Sequence, residues 1–383
     1  MNEMNDRVCF VPFCSEVIWR YKGMRELPGH DSMKKGLHSG EIYVTLTARS
    51  PICVAGSKRW KGVASFAKNA QGRYCIPGST LRGLIRHNMQ ILGLGTVSVF
   101  EEIERGPMAN GKMASAGLPG SYTVPDNLRL DYPRAMMGFV RKINGKNECY
   151  RSRISVGTLT ALGAPKELNT WPVNQRRPMV DSEKFICREK DGSFRLSGTR
   201  QYPIKPAAPD GGYGTTQAIR PLDAGTRFSG SIRYRNLAAD ELGLLLWCLR
   251  LEQGCVHTIG MAKSYGCGQV EVTIDRLVEY DAARLYGSLD ACGTVPGDTQ
   301  QRVAELIAGY RAYAGSQIGG KELMQMPHIK EFLRLKRGLE QEEKSAPAPV
   351  PKEKIRKKDI KPQASAAEVS DMRAQLSSWF KKN

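Results

Sequence analysis

Within thirteen residues, Tyr74 to Arg86, a strand has to end, the chain has to turn and a helix has to begin. Tyr74-Cys75-Ile76 is strand-like, Pro77-Gly78 is a turn signal, and Leu81, Leu84, Ile85, Met89 and Leu92 then recur at helical spacing. Ser79 or Thr80 is placed to cap the new helix, and Arg82 and Arg86 share a face at i, i+4. A helix start offers unpaired N–H groups and the positive end of a dipole, and a guanidinium one turn further in adds a fork for phosphate oxygens. The same residues also suit an ordinary capped helix with solvent-facing arginines.

Elements on either side supply both strands and helices. Glu41–Ala48 alternates Ile42, Val44 and Leu46 against Tyr43, Thr45 and Thr47, the period of a half-buried strand, and it is expected to continue past Pro51 into Ile52-Cys53-Val54. Strands are also expected at Tyr150–Val156, which would put Arg151 and Arg153 on one face, at Thr226–Tyr234 and at Gln269–Ile274. Ala239–Leu249 is nearly all apolar and reads as a buried helix. Further helices are expected around 299–313 and 321–340. Two stretches, 96–135 and 157–218, are rich in Gly or Pro and weakly patterned, the mark of long functional insertions.

The chain of 383 residues carries a net charge of +19. The part from Lys321 onward holds +6 of this, so residues 1–320 retain +13. A body that is itself basic favours a polyanionic partner, nucleic acid before membrane. No apolar run approaches the ~20 residues of a membrane span, and the first residues lack the layout of a signal peptide, so a cytoplasmic protein is expected. Ten cysteines are scattered without a CxxC pair, so neither a disulfide framework nor a metal or other cofactor is expected.

Several stations suit RNA. Lys58, Arg59 and Trp60, in the segment taken as a loop before the helix, combine phosphate-binding charge with a ring on which a base can stack. Arg151 and Arg153 form either a phosphate contact or a solvated face, and Arg200 lies among aromatics in the second insertion. Gly260-Met261-Ala262-Lys263-Ser264-Tyr265-Gly266-Cys267-Gly268 lets backbone approach a phosphate, with Lys263 as a point charge and Ser264, Gly266 and Gly268 beside it. The Walker order is absent, and nucleotide hydrolysis is not expected. Residues 342–369 read as a disordered linker, and in 370–383 Met372, Leu376, Trp379 and Phe380 make an apolar stripe suited to docking in a partner's groove.

The helix start Ile76-Pro77-Gly78-Ser79-Thr80-Leu81-Arg82-Gly83 and the later Gly260–Gly268 loop, in this order around the strand at 41–48 and the helix at 239–250, resemble the RAMP superfamily of CRISPR-associated proteins. The likeness spans roughly residues 8–280 and is strongest to the guide-binding backbone subunits of type III and type III-derived (type VII-like) effector complexes. It implies an α+β fold: an RRM-like (ferredoxin-type) palm over 41–280 with insertions near 96–135 and 157–218, one of them a thumb hairpin. Residues 1–40 form an N-terminal arm, 281–341 a helical extension, and the remainder a flexible C-terminal tail.

The same resemblance implies binding of CRISPR RNA and complementary target RNA, assembly of copies along the guide, and association with other effector subunits including a separate nuclease, in a prokaryotic cytoplasm. Ser79, Thr80, Arg82, Arg86, Lys263, Gly266 and Gly268 would hold guide phosphates. Cleaving relatives carry an aspartate between the first strand and first helix, but Val54–Cys75 contains neither Asp nor Glu. The expected subunit is therefore non-catalytic. The alternative is an endoribonuclease acting through Asp31, or through His87 or His257 as a general base.

Overall fold

A computed structural model describes residues 8–14, 16–60, 62–96, 129–143, 146–173, 186–188, 194–196, 198–208, 218–281, 285, 287 and 297–337. Most of the 96–135 insertion, part of 157–218, and the linker and docking stripe with Met372, Leu376, Trp379 and Phe380 lie outside the described residues.

The chain is a mixed α+β protein built on a curled antiparallel sheet. Its strands are β1 (His38–Ala48), β2 (Cys75–Ile76), β3 (Ile154–Val156), β4 (Leu159–Ala161), β5 (Arg227–Leu237), β6 (His257–Thr258) and β7 (Gln269–Glu279). They lie in the order β6-β7-β1-β5-β4-β2, with β3 also paired to β5. β1 is central because its alternation lets it serve neighbours on both sides. Ile42 faces Ile232 and Leu277 across the two ladders, and Leu46 faces Phe228 and Val272, so one face of the sheet is continuously apolar. A bulge at Asp275 inserts one residue into β7, and the Asp275 carboxylate accepts the Thr45 hydroxyl at 2.7 Å.

Helices cover the apolar face. α1 (Gly78–Leu92) follows β1 and β2 and buries Leu81, Ile85, Met89 and Leu92. A short helix, α2 (Tyr132–Met137), is capped by the Asp131 carboxylate, which accepts from Arg134 N. α3 (Ala239–Arg250) follows β5 and is buried from Glu241 to Leu249, as its unbroken apolar run requires. α4 (Thr299–Gln317) lies on α3, and Tyr310, fully buried, donates its hydroxyl to Leu92 O at 2.7 Å. α5 (Pro327–Arg337) places Ile329, Phe332 and Leu333 in the same core. The helical extension is thus part of the central packing.

Three local expectations change. The chain after Ala48 leaves the sheet, and Ile52 makes only an isolated bridge to Leu222 in place of a continued strand, as Pro51 has no N–H to extend a ladder. The segment with Lys58, Arg59 and Trp60 is a strand, Ala55–Trp60, paired with Val63–Phe66 in a second small sheet. The N-terminal arm is tied down: Cys9–Val11 pairs with Thr199–Gln201, and Trp19–Tyr21 with Leu130–Asp131. Within the second insertion, Ile186–Arg188 and Phe194–Leu196 form a hairpin.

Candidate functional site

α1 and the glycine-rich turn come together. Thr80, Leu84 and His87 recur at i, i+4 and i+7 along one side of α1, where they meet Thr258, Ile259, Gly260 and Lys263. Arg200, Gln201 and Tyr202 from the strand that holds the arm, and Lys336 from the last turn of α5, complete a cavity of about 260 Å³. Three of these lining side chains are cationic and none is acidic.

Lys336 is the most constrained of them. It is 1% exposed, its Nζ donates to Thr258 Oγ1 at 3.3 Å, and the ammonium stands 5.4 Å from the Phe332 ring centroid. Burial, reinforced by the nearby Lys263 charge, pulls its pKa down to about 8. The Lys263 Nζ donates to Gly260 O at 2.6 Å and stands 5.3 Å from the Tyr202 ring centroid. Burial lowers its pKa as well. Among the described residues no carboxylate pairs with Lys263, Lys336 or Arg200. His87 is hydrogen-bonded through Nε2 to Gln201 Nε2, and burial together with the Lys336 charge holds its pKa near 4. At neutral pH the pocket therefore presents cations, hydroxyls and a neutral imidazole, a donor set for an anion.

Sequence reasoning found Thr80, Lys263 and Arg200 with the aromatic Tyr202 beside it, but missed His87 as part of this lining, and missed Gln201 and Lys336. A signal for Lys336 was present. Ile329, Phe332, Leu333 and Lys336 recur at i, i+3, i+4 and i+7, so a lysine occupies a core position of an amphipathic helix.

The arginine pairs read from the sequence are split by the fold. Arg82 points away from the cavity: its Nη1 donates to Ser152 Oγ at 3.0 Å and Ile154 O at 3.2 Å, and its Nη2 to Met137 O. It fastens α1 to the end of α2 and to β3, whereas Arg86 is exposed. β3 begins only at Ile154, so Arg151 and Arg153 do not share a strand face. Arg151 is exposed, but Arg153 is 3% exposed and bound to Glu241 through Nη1 at 2.7 Å and through Nη2. Its Nη1 also donates to Asn236 O at 2.8 Å, and Tyr21 Oη donates to Glu241 Oε1 at 3.0 Å. Arg82 and Arg153 are thus corrected from phosphate ligands to internal fasteners, because buried carbonyls and a buried carboxylate lie within their reach.

The helix cap is also corrected. Pro77 is the N-cap residue, and no side chain caps α1; Ser79 is exposed in the first turn and Thr80 turns toward the cavity. Gly266 and Gly268 have φ of +76° and +74°, and a Cβ at either would overlap a backbone carbonyl, of Pro206 or of Ile259 respectively. Neither glycine, nor Ser264, lines the cavity. They shape the turn that carries Lys263.

Of the residues considered for cleavage, His87 lines the cavity, whereas Asp31 and His257 do not. Asp31 is exposed and pairs with Lys34 at 3.0 Å, and hydrogen bonds from Lys34 and Ser32 hold its carboxyl at about 2. His257 is 1% exposed, bonded through Nε2 to Leu249 O at 2.7 Å, and burial lowers its pKa to about 4. No protein-family model and no curated protein matches the chain.

Proposed function

We propose that the protein is a non-catalytic RNA-guide-binding backbone subunit of a CRISPR effector ribonucleoprotein, presenting the guide for pairing with target RNA and leaving cleavage to a partner nuclease. The observation that carries this reading is the convergence of Thr80 from the Ile76–Gly83 helix start with Gly260 and Lys263 from the glycine-rich loop on one basic cavity. The two motifs lie 180 residues apart, Thr80 to Gly260, yet they meet at one basic cavity of the kind an RNA phosphate requires.

The chain path lends further support. With the short β2, α2 and β6 set aside, β1, α1, β3 and β4, β5, α3 and β7 give strand–helix–strand–strand–helix–strand, with the last strand beside the first and the third on its other side. A ferredoxin-type palm has this connectivity. The hairpin Ile186–Leu196 is a candidate thumb, and the segment 370–383 a candidate docking element for the nuclease.

Affinity of the full chain for single-stranded RNA, measured across a salt series, tests the reading. Wild-type protein should bind with a steep salt dependence, and Lys263→Met should lower both affinity and slope, the latter by about 1. Binding indifferent to Lys263 and to salt would remove the reading. Incubating the same RNA with the protein, with and without divalent metal, separates the endoribonuclease alternative. The subunit reading expects intact RNA, whereas cleavage abolished by Asp31→Ala or His87→Ala would favour the enzyme.

A further inference from the structure

We infer that the cavity between α1, the glycine-rich turn and α5 is built for a dianionic phosphate monoester, such as the terminal phosphate of an RNA strand, in preference to the monoanionic diester of a continuous backbone. This rests on the reading of the cavity as a phosphate site and specifies which phosphate it takes.

The charge count carries the argument. Arg200, Lys263 and Lys336 arrive from three separate parts of the chain and line a cavity of about 260 Å³ to which, among the described residues, no acidic side chain contributes. Lys336 is 1% exposed, and among the described residues its ammonium meets one hydroxyl, Thr258 Oγ1, and the Phe332 ring, but no carboxylate. An ammonium in that setting is costly unless an anion joins it. Lys263 lines the same cavity, and its like charge adds to that cost. A diester brings one negative charge to this cluster, whereas a monoester brings between about 1.5 and 2 near pH 7. The monoester also exposes three oxygens, enough for Lys263, Lys336 and the Arg200 fork to share.

Uncharged donors suit the same group. The Thr80 and Thr258 hydroxyls and the Gln201 amide line the wall, while Leu84 and Ile259 supply apolar surface that keeps the electrostatics strong. α5 belongs to the site and not merely to the core. Its carbonyls at Leu335 and Lys336 accept Ile204 N at 3.3 Å and Val256 N at 2.9 Å, which ties the helix end to the segments flanking Tyr202 and Thr258.

The test uses the full chain and one short oligoribonucleotide made in three forms, with a 5′-phosphate, with a 3′-phosphate, and with hydroxyls at both ends, alongside adenosine monophosphate and inorganic phosphate. At fixed salt, at least one phosphorylated form should bind about tenfold more tightly than the hydroxyl form. Lys336→Met should abolish that difference, weakening the phosphorylated form about tenfold more than the hydroxyl form. Adenosine monophosphate competing as well as the phosphorylated strand would assign the monoester to a free nucleotide and retain the inference. Inorganic phosphate competing equally would overturn the monoester assignment, because no esterified group would then be recognised. Equal binding of all three RNA forms overturns the monoester inference but leaves guide binding standing. Binding of none of the probes overturns both. If Lys336→Met fails to fold, Arg200→Gln on the half-buried strand decides by the same comparison.

Discussion

Arg153 and Lys336 are both buried cations, and they differ in what meets them. Arg153 has Glu241 and two backbone carbonyls, Ala135 O and Asn236 O, so it is a finished internal pair. Replacing it strands a carboxylate, and Arg153→Met is expected to cost about 3–5 kcal/mol in a denaturant titration. Arg82→Ala should cost about 1–3 kcal/mol, since it leaves carbonyls unsatisfied, while Arg86→Ala and Arg151→Ala, both exposed, should stay within about 0.5 kcal/mol. Lys336 has no such partner, and Lys336→Met should leave the free protein as stable or more so, while losing any stabilisation by added phosphate. Its pH response follows from its neighbours Lys263, His87 and Cys255. Because the free ammonium titrates near 8 and a phosphate monoester loses its second charge below about 6, phosphate affinity should be greatest between these values, declining as pH rises through the upper one and as it falls through the lower.

The elements show where sequence reasoning reached and where it stopped. β1, α3 and the start of β7 were legible because their apolar periods are set locally: Ile42, Val44 and Leu46 alternate, and Ala239–Leu249 has no polar face to expose. Arg153 was not legible, since its partner Glu241 lies 88 residues away and nothing nearby distinguishes it from Arg151. The Ser79/Thr80 cap failed for a local reason, as Pro77 fixes its own backbone at φ −57° and ψ 140° and takes the cap position first. Two glycines give opposite expectations on these elements. Gly83 is exposed in α1, and a side-chain methyl added there would meet no atom within 4 Å, so Gly83→Ala should raise stability by about 0.5–1 kcal/mol. Gly268→Ala should lower it by more than about 1 kcal/mol, because positive φ and the Ile259 carbonyl both oppose a side chain. Thermal melts of the two variants check both signs.

Taken whole, the described residues bury neutral histidines and gather at one cavity three cations without a carboxylate partner. His257 and His328, 1% and 3% exposed, are both held near pKa 4 by burial, against an ordinary value of 6.5. Below about 6.5 the unfolded chain takes up protons that the folded one refuses, so stability should fall between about pH 6.5 and 4. The decline should be roughly 1.4 kcal/mol per pH unit for each histidine, and chemical denaturation at several pH values measures it. The net charge of +19 and the acid-free cavity point outward from this core to a polyanion, and the described helices include none long and apolar enough to cross a membrane. The most direct test of the central claim is to extract, size and sequence the nucleic acid that co-purifies with the full chain. Guide-bound RNA of defined length with a shared constant segment is the predicted result. Protein free of RNA, or carrying RNA of random length and sequence, would contradict the account.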